Sequence, residues 1–94
     1  MIGEKIRELR EANNILIRQL AAQLDIDTAL LSKMERGDRF FRKEDLTRIA
    51  KIFQVSEQEL LTLWLADRIL KTVEAESHQK EALELALKTI KQPR

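Results

Sequence analysis

Three observations predict an all-α protein. Helix breakers are nearly absent: the 94 residues include two Gly and one Pro, and between Gly3 and Pro93 only Gly37 interrupts. Leu, Ala, Glu, Lys, Arg and Gln dominate, and all are good helix formers. Apolar residues recur at spacings of three and four along most of the chain, the period of a helix with one buried side. The length predicts one compact domain, and a hydrophobic fraction of 44% is enough to give it a core.

Six helices are expected in order. The first runs about Gly3–Asn13, with Ile2, Ile6, Leu9 and Arg10 on a partly apolar face; Asn13-Asn14 ends it, because Asn tolerates the left-handed conformation. The second is about Ile17–Leu24, its buried stripe Leu20, Ala21 and Leu24. Asp25-Ile26-Asp27 interrupts, and the Asp27 carboxylate is expected to cap a third helix, about Thr28–Glu35. Gly37 then stops the chain as a C′ glycine. Asp38–Arg42 reads as a polar loop carrying Phe40 and Phe41, of which at least one plugs the core. A fourth helix, about Lys43–Phe53, carries Leu46, Ile49, Ala50 and Phe53 on one face.

Ser56-Glu57-Gln58-Glu59 is a capping box, with the Ser56 side chain bonding the Glu59 N–H and Glu59 reaching back. The fifth helix follows from Glu57 to about Val73, with Leu60, Leu61, Trp64, Leu65, Ile69 and Val73 at helical spacing. Glu74–Ser77 is polar. Ser77 is placed to cap a sixth helix to about Ile90, striped by Leu83, Ala86, Leu87 and Ile90; one continuous helix through 74–77 is the competing reading.

Composition narrows the function. Cysteine is absent, so neither disulfides nor thiolate metal sites are available. The longest apolar run is about Leu63–Ala66, far below a membrane span, and the amino-terminal residues have no signal-like apolar stretch; a cytoplasmic protein is expected. Hydrolytic or nucleophilic chemistry needs a positioned base with partner groups. One isolated His78, no Cys and no Gly-rich phosphate loop leave little to build from, so no enzyme, no metal and no cofactor are expected. No small-molecule ligand is evident. Net charge is only +1, but Lys33–Lys51 holds seven basic residues against four acidic ones, a modest bias toward an anionic partner.

Two short helices separated by about three residues, the second ended by Gly, suggest a helix-turn-helix over about Ile17–Arg36. Ala21 is the small residue a close crossing needs. Asp25 substitutes for the Gly usual where φ is positive. Leu20, Leu24, Ile26, Leu31 and Met34 are apolar where burial fixes the crossing angle.

With those positions in place, Leu20-Ala21-Ala22-Gln23-Leu24 followed by Leu31-Ser32-Lys33-Met34-Glu35-Arg36-Gly37 resembles the lambda-repressor-like, Cro/C1-type (XRE) helix-turn-helix family. The later Leu46, Ile49-Ala50-Lys51, Val55-Ser56 and Glu59-Leu60-Leu61 are similar to its fourth and fifth helices. The likeness covers about residues 3–66. It implies a five-helix domain over residues 1–66, with residues 67–94 a helical extension, and a third helix that enters the major groove of double-stranded DNA. On the matching positions, Thr28, Ala29, Ser32 and Lys33 would face base edges. Arg18, Arg36, Arg39, Arg42 and Lys43 would meet phosphates. Ile17 departs from the family, where Gln is common, and Leu16 stands where Thr or Ser usually caps. Base contacts should therefore be few, with Lys33, the Arg39–Lys43 loop and DNA shape carrying more of the recognition.

A repressor-like domain uses only the first half of the fifth helix in its core. Trp64, Leu65, Ile69, Val73, Leu83 and Leu87 are then available, and since a lone amphipathic helix cannot bury its own stripe, either the last helix folds back on the fifth or a second subunit covers it. Dimerisation of the chain with itself through this C-terminal region is expected. The resulting reading is a transcription regulator, repressor or restriction–modification-type controller, acting as a homodimer on a palindromic operator. The alternative is an all-helical interaction module or antitoxin-type partner-binding protein.

Overall fold

The computed structural model describes residues 1–91, which form the helices α1 (Ile2–Ala12), α2 (Ile17–Leu24), α3 (Thr28–Arg36), α4 (Lys43–Phe53), α5 (Glu57–Val73) and α6 (Gln79–Lys91). Each of the first four ends where the backbone turns left-handed or meets Asn. Asn14, Asp25 and Gln54 have φ of 55°, 57° and 55°, and Gly37 has 86°. Asn and Asp tolerate this region better than most residues. Gln54 has no such preference, and its role as a helix stop is not readable from residue type.

α1 to α5 enclose one core. Ile2, Ile6, Leu20, Ala21, Leu24, Leu31, Met34, Phe41, Leu46, Ile49, Ala50, Leu60 and Trp64 are buried in it. α1 packs on α3 and α5, α2 on α3 and α4, and α4 on α5. Burying this apolar surface is the main favourable term in folding. Phe41 is the aromatic that plugs the core, whereas Phe40 stays 41% exposed. Ile26, expected at full burial, sits half-buried at the core's edge, because the turn that carries it lies at the surface.

Two expected caps differ. Asp27 precedes α3 in an extended conformation, but its side chain makes no hydrogen bond to the helix, and this end is exposed. At Ser56 half of the capping box forms: Oγ accepts from the Glu59 N–H at 3.2 Å, while Glu59 turns instead toward Lys5, 4.0 Å away. At α2 a reciprocal bond appears that Leu16 does not advertise. The Gln19 side chain accepts the Leu16 N–H at 2.8 Å, giving the helix a polar start without Ser or Thr.

α5 and α6 are separate helices, broken by turns over residues 74–78. The expected division after Ala66 falls inside α5, which is continuous. Just beyond it, the Asp67 carboxylate accepts the Ile2 N–H at 2.9 Å and lies 3.4 Å from the terminal ammonium of Met1. The first half of α5 is thus core and the second half is tied back to the start of α1. α6 has no buried residue. Pro93, at the end of the expected extension, lies outside the described residues. No helix among those described is long and apolar enough to cross a membrane.

Candidate nucleic-acid interface

The α2–turn–α3 unit is held by short backbone bonds. The Ile26 N–H donates to the Ala21 carbonyl at 3.0 Å and the Asp25 N–H to Ala22 at 3.2 Å. The left-handed Asp25 then swings the chain into α3. Ala21 is 1% exposed, on a helix that packs against α3. A larger side chain there would push the two helices apart.

α3 has two unlike sides. Leu31, Met34 and Glu35 point inward and are buried. Thr28, Ala29 and Lys33 are exposed, and Ser32 is half-buried. Glu35 is no surface counter-charge. It accepts two hydrogen bonds from Arg10 of α1, Nε to Oε2 at 2.9 Å and Nη2 to Oε1 at 3.0 Å, while Arg10 Nη1 reaches the Ile15 carbonyl at 3.1 Å. This pair raises the Arg10 pKa above the usual arginine value, chiefly through the hydrogen bond to Glu35. Nearby, α1 crosses the end of α3 at Gly3, where a Cβ would meet the Glu35 and Met34 carbonyl oxygens at 2.5 and 2.6 Å. These two contacts set the angle at which α3 is presented.

The expected phosphate-binding residues fall into two groups. Arg36 is engaged within the chain: Nη1 donates to the Ser32 hydroxyl at 2.6 Å and Nε to Asp38 at 3.3 Å. Arg42 is engaged too. Its Nε and Nη2 bind the fully buried Asp45 carboxylate at 3.1 and 2.9 Å, and its own N–H donates there at 3.0 Å. That pairing raises the Arg42 pKa and balances its charge locally. Arg18, Lys33, Arg39 and Lys43 are exposed, and among the described residues no carboxylate lies within 4.0 Å of them. Lys43 instead lies over the Trp64 ring, 5.9 Å from its centroid.

Trp64 is a correction. It is 7% exposed and its Nε1 donates to the Phe41 carbonyl at 2.7 Å, so the ring belongs to the domain's own core and not to a surface available for a second subunit. The core takes it in because Trp64 shares the face of α5 that carries the buried Leu60, about 40° away at 100° per residue. Leu65 and Ile69 remain 50% exposed and Leu87 52%, with Val73 and Leu83 half-buried. Sequence reasoning also passed over Arg68, whose guanidinium lies over both Trp64 and Phe40, at 4.8 and 5.3 Å. Nothing in local spacing marks such stacking across loop and helix.

The comparisons with known proteins agree with this geometry. The profile of a helix-turn-helix domain family matches residues 2–63. The chain is 38% identical over 60 residues to the HTH-type transcriptional activator BcrR of Enterococcus faecalis, covering 64% of this chain and 29% of that protein. It is 33% identical over 60 residues to an uncharacterised HTH-type transcriptional regulator, RghRB, of Bacillus subtilis (strain 168), covering 63% of this chain and 43% of that one. It therefore spans less than half the length of these two relatives. No solved structure matches the chain significantly. The matched residues include α1 to α4 and the first part of α5, the unit that positions α3. The chain belongs to the helix-turn-helix domain family, the non-enzymatic, DNA-binding kind found in transcription regulators.

Proposed function

We propose that the protein is a sequence-specific regulator of transcription that binds double-stranded DNA as a homodimer, with α3 in the major groove of each half-site. The observation that carries this reading is the division of α3: one side is locked by Leu31, Met34 and the Glu35–Arg10 pair, while Thr28, Ala29 and Lys33 stand free on the other. Lys33 reaches guanine O6 and N7 or a phosphate, Thr28 and Ala29 pack on thymine methyls, and Ser32 presents the Arg36 guanidinium that it accepts from. Arg18, Arg39 and Lys43 neutralise phosphates, with Arg36 and Arg42 contributing less because their charges are partly balanced.

The exposed apolar residues Leu65, Ile69 and Leu87, together with Val73 and Leu83, form the dimer surface. A twofold dimer reads a palindrome, with half-sites about one helical turn apart. The role is that of a repressor or restriction–modification-type controller in the cytoplasm, its output set by dimer formation and operator occupancy. Binding-site selection from random duplexes tests the whole reading. A recovered palindrome is the expected result. Recovery of no sequence preference, with binding that fades uniformly as salt rises, would sink it and leave an interaction or antitoxin-type role.

A further inference from the structure

Thr28, Ala29 and Ser32 are short, so the outward side of α3 offers few polar atoms that reach far from the helix. Lys33 is one long side chain on it, and Arg36 is a second. At about 100° per residue, Thr28, Ser32, Ala29 and Lys33 span roughly 140° of the helix surface, and Arg36 falls within about 10° of the middle of that arc. The buried Leu31, Met34 and Glu35 centre on the far side, roughly 150° round from Arg36. Arg36, the one arginine of α3, therefore belongs to the middle of the outward face and not to its edge.

Its guanidinium is held from two directions. Nη1 donates to the Ser32 hydroxyl at 2.6 Å. Ser32 lies four residues earlier, about 6 Å along the axis. Helical side chains lean toward the N-terminus, and this bond draws the guanidinium back from the last turn toward the middle of α3. That matters because a recognition helix meets base edges with its N-terminal part. From the other side, Nε donates to Asp38 at 3.3 Å. Asp38 is itself placed by backbone. The Gly37 N–H donates to the Met34 carbonyl at 3.1 Å and the Asp38 N–H to the Lys33 carbonyl at 2.9 Å, the pairing that closes a helix on a left-handed glycine.

These bonds leave donors over. Nη2 donates to no group among the described residues, and Nη1 keeps a second hydrogen. The side chain is 57% exposed. The Asp38 carboxylate offsets part of its charge, which weakens its pull on a phosphate. It does not remove the directed donors, and a planar fork of N–H groups matches O6 and N7 of guanine. Lys33, on the same face, has no such fork.

We infer that Arg36 is a specificity-determining residue: aimed by Ser32 and Asp38, its guanidinium reads a guanine edge in the major groove instead of neutralising a phosphate. This rests on the DNA-binding reading above and deepens it. Ser32 and Asp38 are then positioning residues, which act on the base through Arg36.

The full-length protein and its variants are titrated with the duplex recovered by binding-site selection, and with duplexes carrying each other base at each position, at several salt concentrations. The parent is expected to prefer guanine at one position of the half-site by roughly 5- to 150-fold. Arg36→Ala should bring the bases at that position to within about twofold, leave the other positions as they were, and change the salt slope by much less than the ~0.9 of a lost phosphate contact. Arg39→Ala is the contrast: it should weaken all duplexes alike and keep the guanine preference. Ser32→Ala and Asp38→Ala should each narrow that preference, Ser32→Thr should retain it because the hydroxyl stays, and neither alanine change should narrow it further once Arg36→Ala is present. If Arg36→Ala weakens every duplex equally and lowers the slope by about 0.9, Arg36 is a phosphate contact. That result, or an Arg36→Ala protein that selects bases as the parent does, overturns the inference and leaves the regulator standing. A parent with no base preference at any position overturns both.

Discussion

Arg10 and Glu35 form a two-pronged ion pair at 2.9 and 3.0 Å beneath the exposed face of α3, with side chains only 13% and 5% exposed. It joins α1 to the helix that carries the reading residues. A buried carboxylate left without its partner is costly, whereas replacing both groups by apolar ones of similar size is often neutral.

Arg10→Ala is therefore expected to destabilise the fold by about 3–5 kcal/mol in urea denaturation. The double change Arg10→Met, Glu35→Leu should cost much less than either single change. A double variant no more stable than Arg10→Ala would show that the pair is not what holds these helices. The raised Arg10 pKa makes this stabilisation complete below the ordinary arginine value and lost only as pH rises through the still higher folded value. No loss of stability from Arg10 deprotonation should therefore appear between neutral pH and pH 10.

The two glycines should fail differently. Gly3→Ala drives a Cβ into the Glu35 and Met34 carbonyls, at 2.5 and 2.6 Å, and backbone cannot yield as a side chain does. A loss of about 1–3 kcal/mol is expected, and Gly3→Asn should be worse. At Gly37 there is open space, but φ is +86°. Gly37→Ala should cost about 1 kcal/mol, and Gly37→Asn less, because Asn tolerates the left-handed region. Thermal melts of the four variants check the ranking.

Asp45 is completely buried at the start of α4, yet it accepts three hydrogen bonds, all from Arg42. Asp45→Ala should cost about 1–3 kcal/mol in chemical denaturation, since it strips the helix start of its acceptor. Lys33→Ala and Arg39→Ala should instead leave stability within about 0.5 kcal/mol of the parent. Each should reduce the slope of log affinity against log salt by about 0.9 if its side chain meets a phosphate. Titration of duplex DNA at several salt concentrations separates the two kinds of residue.

Trp64 is the only tryptophan, and its indole N–H is bound to the Phe41 carbonyl at 2.7 Å. Its emission should follow unfolding of the core and stay constant when the protein is diluted through dimer dissociation. Trp64→Phe should cost about 1–3 kcal/mol, because the Phe41 carbonyl is then buried without a donor. A large emission change on dilution, with the fold intact, would place Trp64 at the subunit boundary after all.

Local order was legible because it depends on neighbours in the chain. Apolar spacing, Gly37 after α3, Ser56 before α5 and the short Asp25 turn are all properties of a few consecutive residues, and they placed α2, α4 and α5 closely. Family likeness in Leu31–Gly37 extended this to the side of α3 that faces outward. What spacing could not carry was pairing between distant segments. Glu35 and Arg42 look like ordinary surface charges in the chain; tertiary packing alone made one a buried partner of Arg10 and tied the other to a buried Asp45. At about 100° per residue Trp64 shares a face of α5 with the buried Leu60, while Leu65 and Ile69 lie roughly 100° and 140° round the helix; what spacing could not supply is the Phe41 carbonyl that its indole N–H meets across the core. Gly3 looks like an ordinary first residue of a helix, until the backbone of α3 is found 2.5 Å from where its Cβ would be. A helix period states which residues share a face. Which face meets which neighbour follows from crossing angles and charge partners far apart in the chain, and those exist only once the core has formed.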